Sequence, residues 1–125
     1  MTDKITIQQV LGSIMKHPQF LGEVDKYNLD VQDFPSRFEK IIFLAIRSLY
    51  KSNATHITPL DIENCIEPDI TSKSIFDKYN GIEYLQDIED FVNIENFPYY
   101  YSKLKKLNLL FQTKPLQSLR PTQLS

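Results

Sequence analysis

An all-α fold follows from three features of the sequence: one long stretch of helical periodicity, a series of helix-capping signatures, and no sustained period-two alternation of the kind a half-buried strand shows. The long stretch is 36–51, SRFEKIIFLAIRSLYK, in which Phe38, Ile41, Ile42, Ala45, Ile46, Leu49 and Tyr50 recur at helical spacing. Phe43 and Leu44 widen this stripe, leaving Lys40, Arg47, Ser48 and Lys51 as the polar strip. Ser36 and Glu39 have the spacing of a capping box, in which each side chain accepts from the other's backbone N–H. A helix with so wide an apolar surface is expected at the centre of the domain, covered by the other elements. Six to seven helices are expected in all, ending in a C-terminal helical hairpin.

Taken in chain order, Thr6 and Gln9 have capping-box spacing, and Ile7, Val10, Leu11, Ile14 and Met15 then form the stripe of a first helix. Gly12 inside it costs about 1 kcal/mol against Ala and points to a close approach by another helix. Pro18 ends this helix and suits the first turn of a short second one, with Phe20, Leu21 and Val24 facing inward. Tyr27 and Leu29 pack where that turn ends, and a loop from Leu29 to Pro35, anchored by Phe34, leads into the long helix. After polar punctuation at 52–57, Thr58, Pro59 and Asp61 restart a helix with a cap, a first-turn Pro and an early acid. Pro68 limits it, and Thr71 or Ser72 opens a segment carrying Ile75, Phe76 and Tyr79, closed by Asn80-Gly81. Ile82, Leu85, Ile88 and Val92, with Tyr84 and Phe91 alongside, make a sixth helix. A seventh begins near Asn96 and carries Phe97, Tyr100, Tyr101, Leu104, Leu107 and Phe111. The short link between the last two predicts antiparallel neighbours, an αα-hairpin over Gly81 to Phe111.

Composition places the chain among single globular domains: 125 residues, 42% hydrophobic, 24% charged and only three glycines. A chain of this size buries roughly two-thirds of its unfolded surface, so it needs neither metal nor disulfide for stability. The lone Cys65 sits at a helical apolar position and reads as a small buried hydrophobe, and the compartment as reducing and cytoplasmic. The longest apolar run, Ile41 to Ile46, is far short of the roughly 20 residues of a membrane span. Net charge is −2, so no general attraction to nucleic acid is built in. From Thr113 the composition changes to KPLQSLRPTQLS, which reads as a linker or tail, 113–125, after a domain at 1–112.

Chemistry-bearing patterns are sparse. The glycines at 12, 22 and 81 are isolated, and no phosphate-binding loop of the form G-x-x-x-x-G-K-[ST] occurs. His17 and His56 lack partners at ligand spacing, and Asp87, Glu89 and Asp90 read as a solvated helix face. No catalytic, cofactor or metal residue is assigned. Two candidate surfaces remain. Tyr84, Phe91, Phe97, Tyr100, Tyr101, Leu104, Leu107 and Phe111 exceed what one seam between two helices needs and form a candidate protein interface. Tyr99 with Lys103, Lys105 and Lys106 pairs an aromatic with cations and is a candidate nucleic-acid contact.

The order of several short segments carries a resemblance: VLGSI at Val10 to Ile14, DF at Asp33-Phe34, IF-x-AI-x-x-LY at Ile42 to Tyr50, G-x-x-YL at Gly81 to Leu85, and NF-x-YY at Asn96 to Tyr100. Together, over about residues 7 to 112, they resemble the N-terminal domain of DnaB-type replicative helicases. Pro35, Glu39-Lys40 and Asn53 depart from the family's pattern and mark a divergent, phage-borne member. The resemblance implies a helical globule plus a hairpin through which such domains pair into the collar of a hexameric ring. The expected partners are further copies of the chain and a primase or helicase loader, with weak or indirect DNA contact and no membrane. The domain itself is then non-catalytic, with no cofactor; ATP and Mg belong to a RecA-like motor beyond the linker. A stand-alone replication adaptor, a primase's helicase-binding domain and a single-stranded DNA-binding module are the alternatives.

Overall fold

The structure, a computed structural model, describes residues 4–107. Five α-helices lie in the order α1 (Lys4–Lys16), α2 (Arg37–Lys51), α3 (Pro59–Ile66), α4 (Ile70–Lys78) and α5 (Gly81–Phe91). A sixth, α6, covers 97–107, and short 3-10 turns occupy Pro18–Gly22, Val31–Asp33 and Ile94–Asn96. No strand occurs among the described residues, and the fold is all-α. The predicted boundary at 112, the tail and Phe111 lie outside them.

The caps fall largely where the residue types demand. Ser36 and Glu39 close a reciprocal capping box at the start of α2, and Thr58 and Asp61 do the same for α3, with Pro59 in its first turn. At the end of α2 the Ala54 N–H reaches the Leu49 carbonyl and the Asn53 N–H that of Tyr50, with Asn53 at φ 73°. This is a Schellman motif, and after Gly, Asn is the residue best suited to its left-handed position. Asn80, at φ 53°, plays the left-handed part between α4 and α5. Gly81 has a different task, since a Cβ there would strike the Phe76 ring.

Burial departs from expectation at α1. Ile7, Val10, Leu11, Ile14 and Met15 are buried as predicted, but so are Thr6, Gln9, Gly12 and Ser13. Thr6 therefore lies inside the helix and does not cap it. The most enclosed helix is α1, and α2 shares the core while keeping Leu44 exposed, contrary to the expectation that everything covers α2. The reason is visible at Gly12, where a Cβ would collide with Ile88 and Val92 of α5. Tyr84 is hydrogen-bonded to Gln8, Ile88 and Val92 face Gly12, and the Lys16 ammonium donates to the Val92 carbonyl at 3.1 Å. Each contact lies one turn further along both helices, so α1 and α5 run parallel and in register. The chain after α2 returns to the same place, the Ile57 N–H donating to the Met15 carbonyl at 2.9 Å. Val24 and Tyr79 are exposed at the ends of their segments.

Ile42 and Ile46 are fully buried. Truncating either to Ala is expected to cost about 2–5 kcal/mol, whereas Leu44→Ala, at an exposed position, should change stability by less than about 0.5 kcal/mol. Gly12→Val should lower stability by at least about 1–3 kcal/mol through overpacking against α5. Urea unfolding followed by circular dichroism measures all three.

Candidate protein-interaction site

The candidate residues cluster on α5 and α6, and α6 is mounted on the globule by one face. Phe97, Tyr101, Leu104 and Lys105 stand at i, i+4, i+7 and i+8, so they point the same way. Their floor is the segment between α1 and α2, which contains no α-helix. Phe97 stacks on Phe20 with centroids 4.1 Å apart and meets Tyr27 edge-on at 4.7 Å. One turn on, the Tyr101 ring meets Tyr27 at 5.0 Å, and its hydroxyl accepts the Asn28 N–H at 2.8 Å. A further turn on, the Lys105 ammonium reaches both oxygens of Asp33 at 2.9 and 3.1 Å.

Asp33 is a buried carboxylate, its side chain only 1% exposed. It also accepts the Asp30 N–H at 2.9 Å, closing a capping box around Val31–Asp33. The Lys40 ammonium holds the Phe34 carbonyl beside it, and Phe34 stacks on Phe43 of α2 at 5.0 Å. The loop beneath α6 is thus also fixed to α2.

This mounting divides the predicted interface. Phe97 is 0% and Leu104 3% exposed, so both serve the core and are unavailable to a partner. Tyr84 is likewise turned inward: it is half-buried, edge-on to Phe38 at 5.0 Å, and burial, followed by the nearby Glu39 charge, pushes its hydroxyl well above the usual tyrosine range. Tyr101 works in the mount. The outward members are Phe91, 48% exposed at the end of α5, with the half-buried Tyr100 and Leu107. Tyr99, 62% exposed, joins them and meets Tyr100 edge-on at 4.9 Å.

The nucleic-acid set is divided too. Tyr99 and Lys103 share one face, the ammonium lying 5.9 Å from the ring centroid, and Lys106 is exposed on the next turn. Lys105 belongs to the opposite side, committed to Asp33. The residues that sequence reasoning missed are Phe20, Tyr27, Asn28 and Asp33 as the floor. The one signal for them was Lys105 following Tyr101 at the edge of an apolar stripe, where a cation facing inward demands a buried acid. Elsewhere, His56 lies 3.8 Å from Glu89, Asp87 and Asp90 are exposed, and Cys65 is half-buried with its thiol 3.9 Å from the Ala45 carbonyl. Among the described residues no group of three or more His, Cys, Asp and Glu is arranged to hold a metal, and no helix is long and apolar enough to cross a membrane.

Such an arrangement is a small all-α helical domain that carries one helix with an aromatic and basic outer face. The chain belongs to the DnaB-like helicase N-terminal domain family, whose profile matches residues 7–106. It is 39% identical over 108 residues to the SPbeta prophage-derived uncharacterized protein YorI of Bacillus subtilis strain 168, the alignment covering 86% of this chain and 21% of that protein. The chain thus spans about a fifth of the length of this curated relative, and the relative's prophage origin agrees with a divergent, phage-borne family member. No solved structure matches.

Lys105→Met should lower stability by about 1–3 kcal/mol, because it strips the buried Asp33 carboxylate of a charged partner, while Lys103→Met should leave stability within about 0.5 kcal/mol. The Tyr84 hydroxyl gives a pH test. Its proton is held more tightly in the folded state, so its contribution is intact below the unfolded tyrosine value near 10 and is lost as pH rises above it. Tyr84→Phe, which loses the Gln8 hydrogen bond, should be less stable than the unmodified chain at pH 9, and the gap should narrow by pH 11, read from urea midpoints.

Proposed function

We propose that this domain is the non-catalytic N-terminal scaffold of a replicative DNA helicase, which pairs with further copies in a ring collar and offers a surface to a primase or helicase loader. The family membership over residues 7–106 carries this reading. The relative in which a domain of this size occupies about a fifth of the length supports a parent with room for a motor beyond it. ATP and Mg are then used by that motor, and this domain holds neither.

Self-association is assigned to the outward set, Phe91, Tyr99, Tyr100 and Leu107. Aromatic residues exposed on a rigid helix, with Lys103 and Lys106 at their margin, have the composition of an interface core and rim. One face meeting its own copy gives an isologous, two-fold contact. Leu104, being buried, is no use for testing this, because a charge there would disrupt the fold.

Phe91→Glu and Tyr99→Glu are expected to lower the sedimentation mass of the purified chain at about 100 μM while leaving its circular dichroism unchanged. A folded pair of variants that associate like the unmodified chain would place the contact elsewhere. The same preparation should show no DNA-stimulated ATP hydrolysis, since the sequence has no phosphate-binding loop. Turnover abolished by a substitution within the chain would overturn the scaffold reading.

A further inference from the structure

The net charge of −2 hides a division of the chain. Residues 59–96, which form α3, α4, α5 and the turn after them, hold ten acidic side chains and two basic ones, a balance of −8; the remainder holds six acidic and twelve basic, a balance of +6. An asymmetry of this size within one small chain points to a polyanion on the basic side.

In the basic part, the charges are ordered along α2. Arg37, Lys40, Arg47 and Lys51 stand at i, i+3, i+10 and i+14, with Leu44 at i+7, so all five share one side of the helix. The buried Phe38, Ile42 and Ile46 lie on the other. Glu39, the one acid of α2, is turned away: its carboxylate accepts the Ser36 N–H and its charge stands beside Tyr84. Among the described residues none of the four cations is in an ion pair, whereas Lys73 and Lys105 are. Arg37 and Lys51 are exposed, Lys40 gives one N–H to the Phe34 carbonyl, and Arg47 lies over the Phe43 ring at 5.4 Å, so each keeps donors to spare.

The row is straight and rigid, and at 1.5 Å per residue it runs about 21 Å, the length of about six base pairs of duplex. A duplex backbone presents closely spaced charge along such a line. An unpaired strand would need an exposed aromatic ring to stack on, and the row has none. A protein partner would need an apolar centre, and the row offers Leu44 alone. Beside Leu44 lies Asp69, in the same hollow between α2 and α4, with Glu67 exposed nearby. These acids repel phosphates and so confine a duplex to the outer side of α2.

We infer that the outer side of α2 binds the phosphate backbone of double-stranded DNA without regard to sequence, a contact that is separate from the α5–α6 face and independent of the scaffold reading.

Fluorescence anisotropy of a labelled duplex of about 20 base pairs, titrated with the purified chain at about 50–200 mM salt, tests this. Binding should weaken by about 100-fold over that range, following the slope of about −3.6 that four phosphate contacts give. Arg37→Gln and Lys51→Gln, both at exposed positions and checked for folding by circular dichroism, should each weaken binding by about threefold or more at low salt and reduce the slope by about 0.9. Lys78→Gln, which removes the same charge from the exposed side of α4, should do neither. Five outcomes overturn the inference: no binding of duplex by the unmodified chain at about 500 μM and low salt; Arg37→Gln and Lys51→Gln both binding as the unmodified chain does; an equal loss with Lys78→Gln; tighter binding of a single strand of the same length; or displacement of the duplex by polyglutamate at equal charge concentration, which would make an acidic protein the partner.

Discussion

The close approach of α1 and α5 at Gly12 is the constraint on which the rest of the structure depends. Without a side chain at that position, Ile88 and Val92 reach the α1 backbone and the two helices run parallel in register. Parallel neighbours that are far apart in sequence need long connections, and everything between them serves as one. The segment from Pro18 to Asn80 must leave the C-terminal end of α1 and return to its N-terminal end. It does so through α2, which packs on α1, and through α3 and α4, which pack on α2 and α5; α1 itself is enclosed by α2, α5 and the 3-10 turns at Pro18–Gly22 and Ile94–Asn96. The buried Thr6, Gln9 and Ser13 are short or flexible polar residues accepted where tight packing leaves little room for larger ones.

Helix positions were largely legible because they rest on local chemistry. Capping boxes at Ser36 and Thr58, proline at Pro18 and Pro59, and the apolar spacing of α1 act within one or two turns, and each element formed where those signals stand. The short 3-10 turns after Asp30 and Asn93 were less visible, the first set by an Asp30–Asp33 capping box outside any apolar stripe and the second by the Asn93 side chain alone. What a stripe faces is a different matter. Periodicity says that Phe97, Tyr101 and Leu104 share a side of α6, and the same pattern would serve a core or a partner. Here the answer was written elsewhere in the chain, in Phe20, Tyr27 and Asp33, whose place beneath α6 follows only from the tertiary fold. The exposed Leu44 was hidden for the same reason, since a wide apolar arc does not reveal which of its edges a neighbour leaves uncovered.

Asn53 shows how a residue other than glycine can hold a left-handed position at a helix end. The position requires a left-handed residue after α2, and Asn adopts that conformation at modest cost where Gly does so freely.

The mount of α6 has a mechanical consequence. Its attachments are strung along one side of the helix, with Phe97 first, Tyr101 one turn later and Lys105 one turn later still. A load applied at Lys105 falls first on its pair with Asp33 and on the buried Leu104, then on the Tyr101–Asn28 bond, and only last on the ring stack. The attachments along α6 are thus loaded in series from Lys105 towards Phe97 instead of all together.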